Sequence, residues 1–325
     1  MSAGGKRIVL VLAAGVVALF VFGFVVGAIG SAFFGGGEEG GFLPKPEVHL
    51  PPQPVLAHDA EEAEHGGLPG RFVLTNTLLS SWITTLVLIV LFFFATRNRD
   101  PGKAPRGLQN LMEAVIGATY DFVESVAGHE NARRFFPLFA TIFLFVLTNA
   151  WLGLLPIYPS LGFTENGRFF TSEPLARHLL RPAGTDLNMP MALALISFVF
   201  VEYWGLRTLG WHYFGKFFRF GTLLRARGPS GLFQGMIDIF VGMLELLSEF
   251  VRIVSFTFRL FGNMTAGEIL LLVTAFLIPF VFSLPFYGLE LLVGFIQALI
   301  FAGLTLVFVT IAVMPHEGHE AEEHG

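Results

Sequence analysis

The sequence predicts an all-α, polytopic membrane protein, and three observations carry that prediction. Six apolar runs reach, or nearly reach, the length that crosses about 30 Å of hydrocarbon at about 1.5 Å per helical residue. The 325 residues are 54% hydrophobic with 38 Phe and a mean hydropathy of +0.67. Only 14% are charged, against about 25% in ordinary soluble domains. Within the fifth run a series of charged and polar residues recurs at helical spacing. An ordinary soluble enzyme is excluded by this composition, and the absence of cysteine excludes a disulfide framework and thiolate chemistry.

The first run, Ile8 to about Phe34, is uncharged and follows Lys6 and Arg7. It is longer than the apolar core of a signal peptide, about 7–15 residues, so it reads as an uncleaved anchor. Ala13, Ala14, Ala28 and the Gly-rich stretch Gly35 to Gly41 keep a cleaved signal peptide open as the alternative. The second run is Phe72 to Ala95, the third Phe135 to Leu155 and the fourth Met189 to Leu209. The fifth extends from about Phe233 to Phe276 and the last from Phe286 to Met314. Both exceed one perpendicular crossing, which predicts strong tilt or extension beyond the bilayer.

Between the second and third runs, Gly107 to Ala127 puts Leu108, Leu111, Met112, Val115, Ile116, Val123 and Val126 on one face. Gln109, Asn110, Glu113, Asp121 and Glu124 lie opposite. This pattern predicts a helix lying on the membrane surface. The positive-inside rule assigns Lys6/Arg7, the cluster Arg97, Arg99, Lys103 and Arg106, the pair Arg133/Arg134, and the cluster Arg207, Lys216, Arg219, Arg225 and Arg227 to the cytoplasmic side. The acidic, Pro-rich segment Glu38 to Gly67 and the loop Ile157 to Asn188 then lie outside, and the C-terminal HEGHEAEEHG lies inside. Arg168, Arg177 and Arg181 in the outer loop run against the rule, with Glu165, Glu173 and Asp186 close by. The organisation is an N-terminal anchor over 1–37, an outer segment over 38–70, a membrane core over 71–314 and a cytoplasmic His/Glu tail over 315–325.

Within the fifth run, Glu245, Ser248, Arg252, Ser255, Arg259 and Asn263 follow one another at steps of three or four residues. A helix stacks them into one polar stripe on an otherwise apolar cylinder. An arginine near mid-membrane costs about 2.5–3.5 kcal/mol on insertion scales. Arg259 must therefore face water or a carboxylate, and the stripe reads as an ion path.

The string RLFGNMTAGE from Arg259 to Glu268 resembles the signature of the a subunit of rotary ATP synthases. Two further blocks match in order, FFPLFATIFLFVLTNAWLGLLPI from Phe135 and DLNMPMALAL from Asp186, and ELLVGFIQALIF adds Glu290 and Gln297. The resemblance covers about Thr75 to Met314. It implies five core helices, including a long tilted antiparallel pair facing a rotor ring, with an interfacial amphipathic helix and one extra N-terminal transmembrane helix. It further implies a proton-conducting stator subunit whose two offset half-channels protonate and deprotonate c-ring carboxylates. Its partners would be the c-subunit ring, the peripheral-stalk b subunits, the remaining synthase subunits and the lipid bilayer of a bacterial plasma membrane, with no nucleic acid. No cofactor and no catalytic chemistry belong to such a chain, and no Walker-type phosphate loop is present.

The resemblance gives Arg259 the role of the arginine that faces the ring. Glu268 and Glu290 are expected in the outer half-channel, as two carboxylates from adjacent antiparallel spans either side of the Pro279 to Pro285 turn. Gln297 lies two turns beyond Glu290 and is expected to approach Arg259, or else to make an interhelical hydrogen bond. Glu245 and Ser248 line the cytoplasmic half-channel in this reading, with Glu249 as a weaker candidate, and Ser255 and Asn263 hydrogen-bond water one turn either side of Arg259. Arg252 reads as a solvated or interfacial anchor. Asp186 and Asn188 read as helix N-caps, with Pro190 in the first helical turn.

Relatives place an acidic residue near Gly153, which this chain lacks. The clusters His58 to His65 and His316 to His324 read as solvated acidic tails, with metal binding as the alternative. A secondary transporter that binds an anion at Arg259 is the competing functional class. The hydropathy shows no inverted-repeat halves to support it.

Overall fold

The computed structural model describes residues 3–34, 51–55, 73–97, 106–163, 177–210, 213 and 229–314. The described chain is helical apart from one short antiparallel pairing. The helices are α1 (Ala3–Val26), α2 (Ala28–Phe34), α3 (Asn76–Arg97), α4 (Leu108–Ala127), α5 (His129–Gly153), α6 (Ile157–Ser160), α7 (Asn188–Leu209), α8 (Pro229–Leu277) and α9 (Leu284–Val313). Strands β1 (Gly162–Phe163) and β2 (Arg177–His178) pair in the register Gly162 to His178.

Five segments are long and apolar enough to cross a membrane: Gly5–Val26, Asn76–Arg97, His129–Gly153, Asn188–Leu209 and Phe280–Val313. The 49-residue α8 stands apart from them, with Asp238, Glu245, Glu249, Arg252, Arg259 and Glu268 along its length. At about 1.5 Å per residue it is more than twice as long as the hydrocarbon layer is thick. The expected amphipathic segment is α4, one of whose apolar residues, Val123, is wholly buried. Leu108 and Leu111, nearer its start, are exposed. Gly128, with φ 76°, turns the chain from α4 into α5, a left-handed position that glycine occupies without steric penalty.

Two expectations are corrected. The first apolar run is two helices, broken at Gly27, with Gly30 set against the carbonyls of Phe24 and Val25. Neither Asp186 nor Asn188 caps α7, because the cap position falls on Leu187, which gives no side-chain bond. Pro190 does lie in the first turn.

Contacts divide the chain into two compact units, the first comprising Met1–Ile83, Leu147–Asp186 and Gly262–Ile296, the second Thr84–Val146, Leu187–Phe261 and Gln297–Gly325. In the first, buried Asn76 at the head of α3 is a polar tie. Its Oδ1 accepts from Gln53 N at 3.2 Å and its Nδ2 donates to the carbonyl of His178 at 3.3 Å. Trp151 Nε1 donates to the carbonyl of Leu291 at 3.0 Å, which joins α5 to α9. In the second, Ser197 and Thr305 share a 2.7 Å hydrogen bond between α7 and α9, the kind of polar contact that holds helices together where burial of apolar surface gives no advantage over lipid. Phe135 meets Phe200 and Trp204 edge-on. Arg134 and Arg207 stack over the same indole at 5.9 and 5.2 Å, which suits an interfacial aromatic anchor.

The N-terminal helix α1 docks on the 3-10 turn Phe280–Ser283 that precedes α9. Gly23 and Gly27 lie flush against the carbonyls of Pro279 and Leu277, leaving no room for a Cβ. Phe20 packs on Phe282 and Phe22 on Phe280, with ring centroids 6.3 and 5.9 Å apart. Gly27→Leu should therefore displace α1, at about 1–3 kcal/mol of overpacking. Since the chain lacks cysteine, a Phe22→Cys/Phe280→Cys pair joined by a short thiol cross-linker reads this directly. Cross-linking is expected in the otherwise unaltered chain and should be lost when Gly27→Leu is added.

Candidate functional site

The first unit holds a buried ionic cluster built from three elements. Pro182 precedes the 3-10 turn Ala183–Thr185, and Gly184 of that turn lies against Met264 of α8 while its N–H donates to Asn149 Oδ1 at 3.3 Å. This anchorage sets Arg181, which is 7% exposed, against α8. Its Nη2 donates to Glu268 Oε2 at 2.8 Å and its Nε lies 3.2 Å from both carboxylate oxygens. The Arg181 backbone N–H donates to Ser80 Oγ at 3.2 Å, and Thr77 Oγ1 donates to Asp186 Oδ2 at 2.8 Å. Burial raises the Tyr158 hydroxyl above the ordinary phenol range, with a smaller opposing effect from the Ser80 side chain. Tyr158 is thus a neutral phenol at any physiological pH.

Glu290 reaches α8 at Gly267, where its carboxylate fills the space that a Cβ would take. The carboxylate of Glu290, on α9, thus lies against α8 at the residue that precedes Glu268. The structure adds a residue that the sequence reading did not select. Arg181 pairs with Glu268; Glu165 and Glu173, which the sequence places near it, lie outside the described residues. The signal that could have identified it was its place in an outer loop where the positive-inside rule disfavours a cation. A cation misplaced in this way needs a partner, and carboxylates within the spans were among the sequence-distant candidates.

The second unit holds the central part of the stripe. Ser248 and Ser255 are exposed, Glu245 and Arg259 half-buried. The guanidinium of Arg259 lies 5.8 Å from the centre of the Phe256 ring. Among the described residues it forms no ion pair, and no hydrogen bond joins it to Gln297, which is buried within the unit at 2% exposure. Farther along α8, Asn263 is exposed. The apolar side chains between these positions, among them Leu246, Leu247, Phe250, Val251 and Phe258, are exposed as well. A helix with this surface presents a polar line within an apolar field.

Of the two readings of Arg252, solvated or interfacial anchor, the solvated one is corrected. Its Nη1 lies 2.6 Å from Glu249 Oε2 and its Nη2 donates to Glu249 Oε1 at 3.1 Å. The guanidinium stacks 3.9 Å over Phe308 of α9, and the side chain is only 18% exposed. Glu249, rated below Glu245 from sequence, is the more buried of the two at 8%. No group of three or more His, Asp or Glu side chains among the described residues is arranged to hold a metal. The clusters His58 to His65 and His316 to His324 lie outside the described residues.

Taken together, these features define a multi-pass α-helical membrane protein with ionisable side chains set at specific points of its helices. Residues 78–310 match the family model described as ATP synthase A chain. The chain is 36% identical to the ATP synthase subunit a of Gloeobacter violaceus over 75% of its own length and 86% of that protein's. It is 34% identical to that of Mycobacterium marinum over 82% of its own length and 98% of the relative's, and 28% identical to that of Helicobacter acinonychis over 76% and 95%. The chain belongs to the ATP synthase A chain family.

The Arg181 to Glu268 pair generates a prediction. Removing one partner of a buried pair costs about 3–5 kcal/mol because the other charge is stranded, and the partial exposure of Glu268, 26% for its side chain, brings the expected loss toward the lower end. Arg181→Ala and Glu268→Ala should each destabilise the protein by about 2–3 kcal/mol. The double variant should lose much less than the sum, as measured by denaturant unfolding in detergent.

Proposed function

We propose that this chain is the proton-conducting stator subunit of a rotary ATP synthase, in which two offset half-channels load and unload carboxylates on a passing c-subunit ring. The observation that carries the reading is the exposed polar stripe on α8, with a half-buried arginine, Arg259, that has no ion-pair partner among the described residues. Such a cation in hydrocarbon must face water or an anion. A ring carboxylate supplies the anion.

Arg259 stays protonated at any accessible pH, so it attracts an ionised ring carboxylate yet relays no proton itself. A carboxyl that has taken a proton is neutral and crosses lipid at far lower cost than the anion. Arg259 thus blocks a direct leak between the half-channels while letting a loaded carboxyl leave toward the lipid. Glu245 and Ser248 line the cytoplasmic path, and Ser255 and Asn263 hold water either side of the arginine. On the outer path, Glu268 carries the charge that balances Arg181, so Glu290 is the carboxyl free to take and give up the proton. Gln297 supports this region from within the helix pair.

The same reading gives the chain peripheral-stalk b subunits as further partners and a bacterial plasma membrane as its location, with the C-terminal tail inside. It makes the chain non-catalytic, with ATP chemistry carried out elsewhere in the complex. The organisation read from the sequence, with an anchor over 1–37 ahead of a core over 71–314, belongs to this proposal.

The test is ATP-driven acidification of inverted vesicles carrying the assembled complex. Arg259→Ala should abolish pumping while the ring and stalk subunits still copurify. Pumping at the wild-type rate would overturn the assignment and favour an anion-binding transporter.

A further inference from the structure

Helix α8 carries two arginines, Arg252 and Arg259, seven residues apart. Seven residues are nearly two full turns, so both start from the same face, about 10.5 Å apart along the axis. Their surroundings differ. Arg259 has no ion-pair partner among the described residues, whereas Arg252 is drawn by Glu249 onto the Phe308 ring and is mostly buried.

Further titratable groups lie beside the pair. Buried Tyr213 hydrogen-bonds Glu202 and senses the charges of both Glu249 and Arg252. Burial first, then the negative charge and hydrogen bond of Glu202, keep its hydroxyl well above the ordinary phenol range. Tyr213 therefore remains protonated beside Glu202, and the Arg252 to Glu249 pair stands on its own two contacts. Gly205 admits the Tyr213 ring, since its missing side chain is the space that the ring fills. Among the described residues, Tyr213 and Glu202 are titratable groups beside the pair, while α9 presents the Phe308 ring.

We propose that Glu249 is a positioning residue that holds Arg252 off the polar stripe and cancels its charge, so that Arg259 is the only uncompensated cation the stripe offers a passing carboxylate. This inference rests on the stator reading above. A second free guanidinium two turns toward the cytoplasm would stabilise the ionised carboxylate after it has passed Arg259 and entered the cytoplasmic path. Proton uptake from the cytoplasmic path would then demand a higher proton concentration. Glu249 prevents that without touching the proton path itself.

The experiment is ATP-driven acidification in inverted vesicles of the assembled complex, measured across the pH of the outer bath, which is the cytoplasmic face. Glu249→Gln should slow pumping roughly tenfold near neutral pH and displace the pH profile about one unit toward acid. A purely structural role for Glu249 would lower the amplitude with the profile unmoved, and that result overturns the proposal. Glu249→Gln/Arg252→Gln removes both charges and should regain the wild-type profile. A displaced profile in the double variant overturns the proposal equally, including where Glu249→Gln alone fails to assemble. Arg259→Ala is run alongside. If it pumps normally, the stator reading falls. If it is silent while Glu249→Gln keeps the wild-type profile, only the role of Glu249 falls.

Discussion

A charge inside a hydrocarbon layer has no water to solvate it, and the arrangement of this chain follows from where each such charge finds a counterpart. Arg181 finds Glu268 and Arg252 finds Glu249. Breaking a buried pair strands a charge, so both pairs fix the helices that carry them as firmly as apolar packing does. The apolar side chains, by contrast, have little to gain from one another in lipid, which leaves Phe240, Phe250 and Phe258 of α8 exposed at no cost. Polar ties such as Ser197 to Thr305 and Trp151 to the Leu291 carbonyl then decide which helices touch.

Most of the architecture was legible because membrane helices obey a simple length and hydropathy rule. The expected spans Met189 to Leu209 and Phe286 to Met314 fall within two residues of α7 and α9, and the surface helix after Gly107 matches α4. The third span was placed late, starting at Phe135, because its first turn from His129 to Arg134 is polar and lies beyond the apolar run. The break at Gly27 was hidden for the opposite reason. Hydropathy is continuous across it, and only the docking of α1 on the Pro279 turn shows why glycine is needed there.

The functional residues were legible where helical period fixed them and obscure where tertiary contacts did. The stripe from Glu245 to Asn263 follows from steps of three and four residues, and the structure places those residues on α8 with half-buried or exposed side chains. Glu249 and Arg252 also sit three residues apart, yet local spacing alone does not turn Arg252 inward, because that depends on Phe308 far along the chain. Arg181 was obscure for the same reason. Its partner Glu268 lies 87 residues away, and no local spacing points to it.

The missing acidic residue near Gly153 has a physical counterpart in the structure. A Cβ at Gly153 would stand 2.5 Å from Pro182 Cγ and 2.9 Å from its Cβ, so no longer side chain fits there while Pro182 keeps its place. Pro182 in turn directly follows Arg181, and its limited φ range helps to fix the backbone from which the guanidinium reaches Glu268. The absence of a carboxylate at 153 and the presence of the Arg181 pair are therefore two consequences of one local packing choice. With Glu268 committed to Arg181 and position 153 closed, Glu290 against Gly267 is left as the carboxylate of this unit's α8–α9 pair with no guanidinium partner among the described residues.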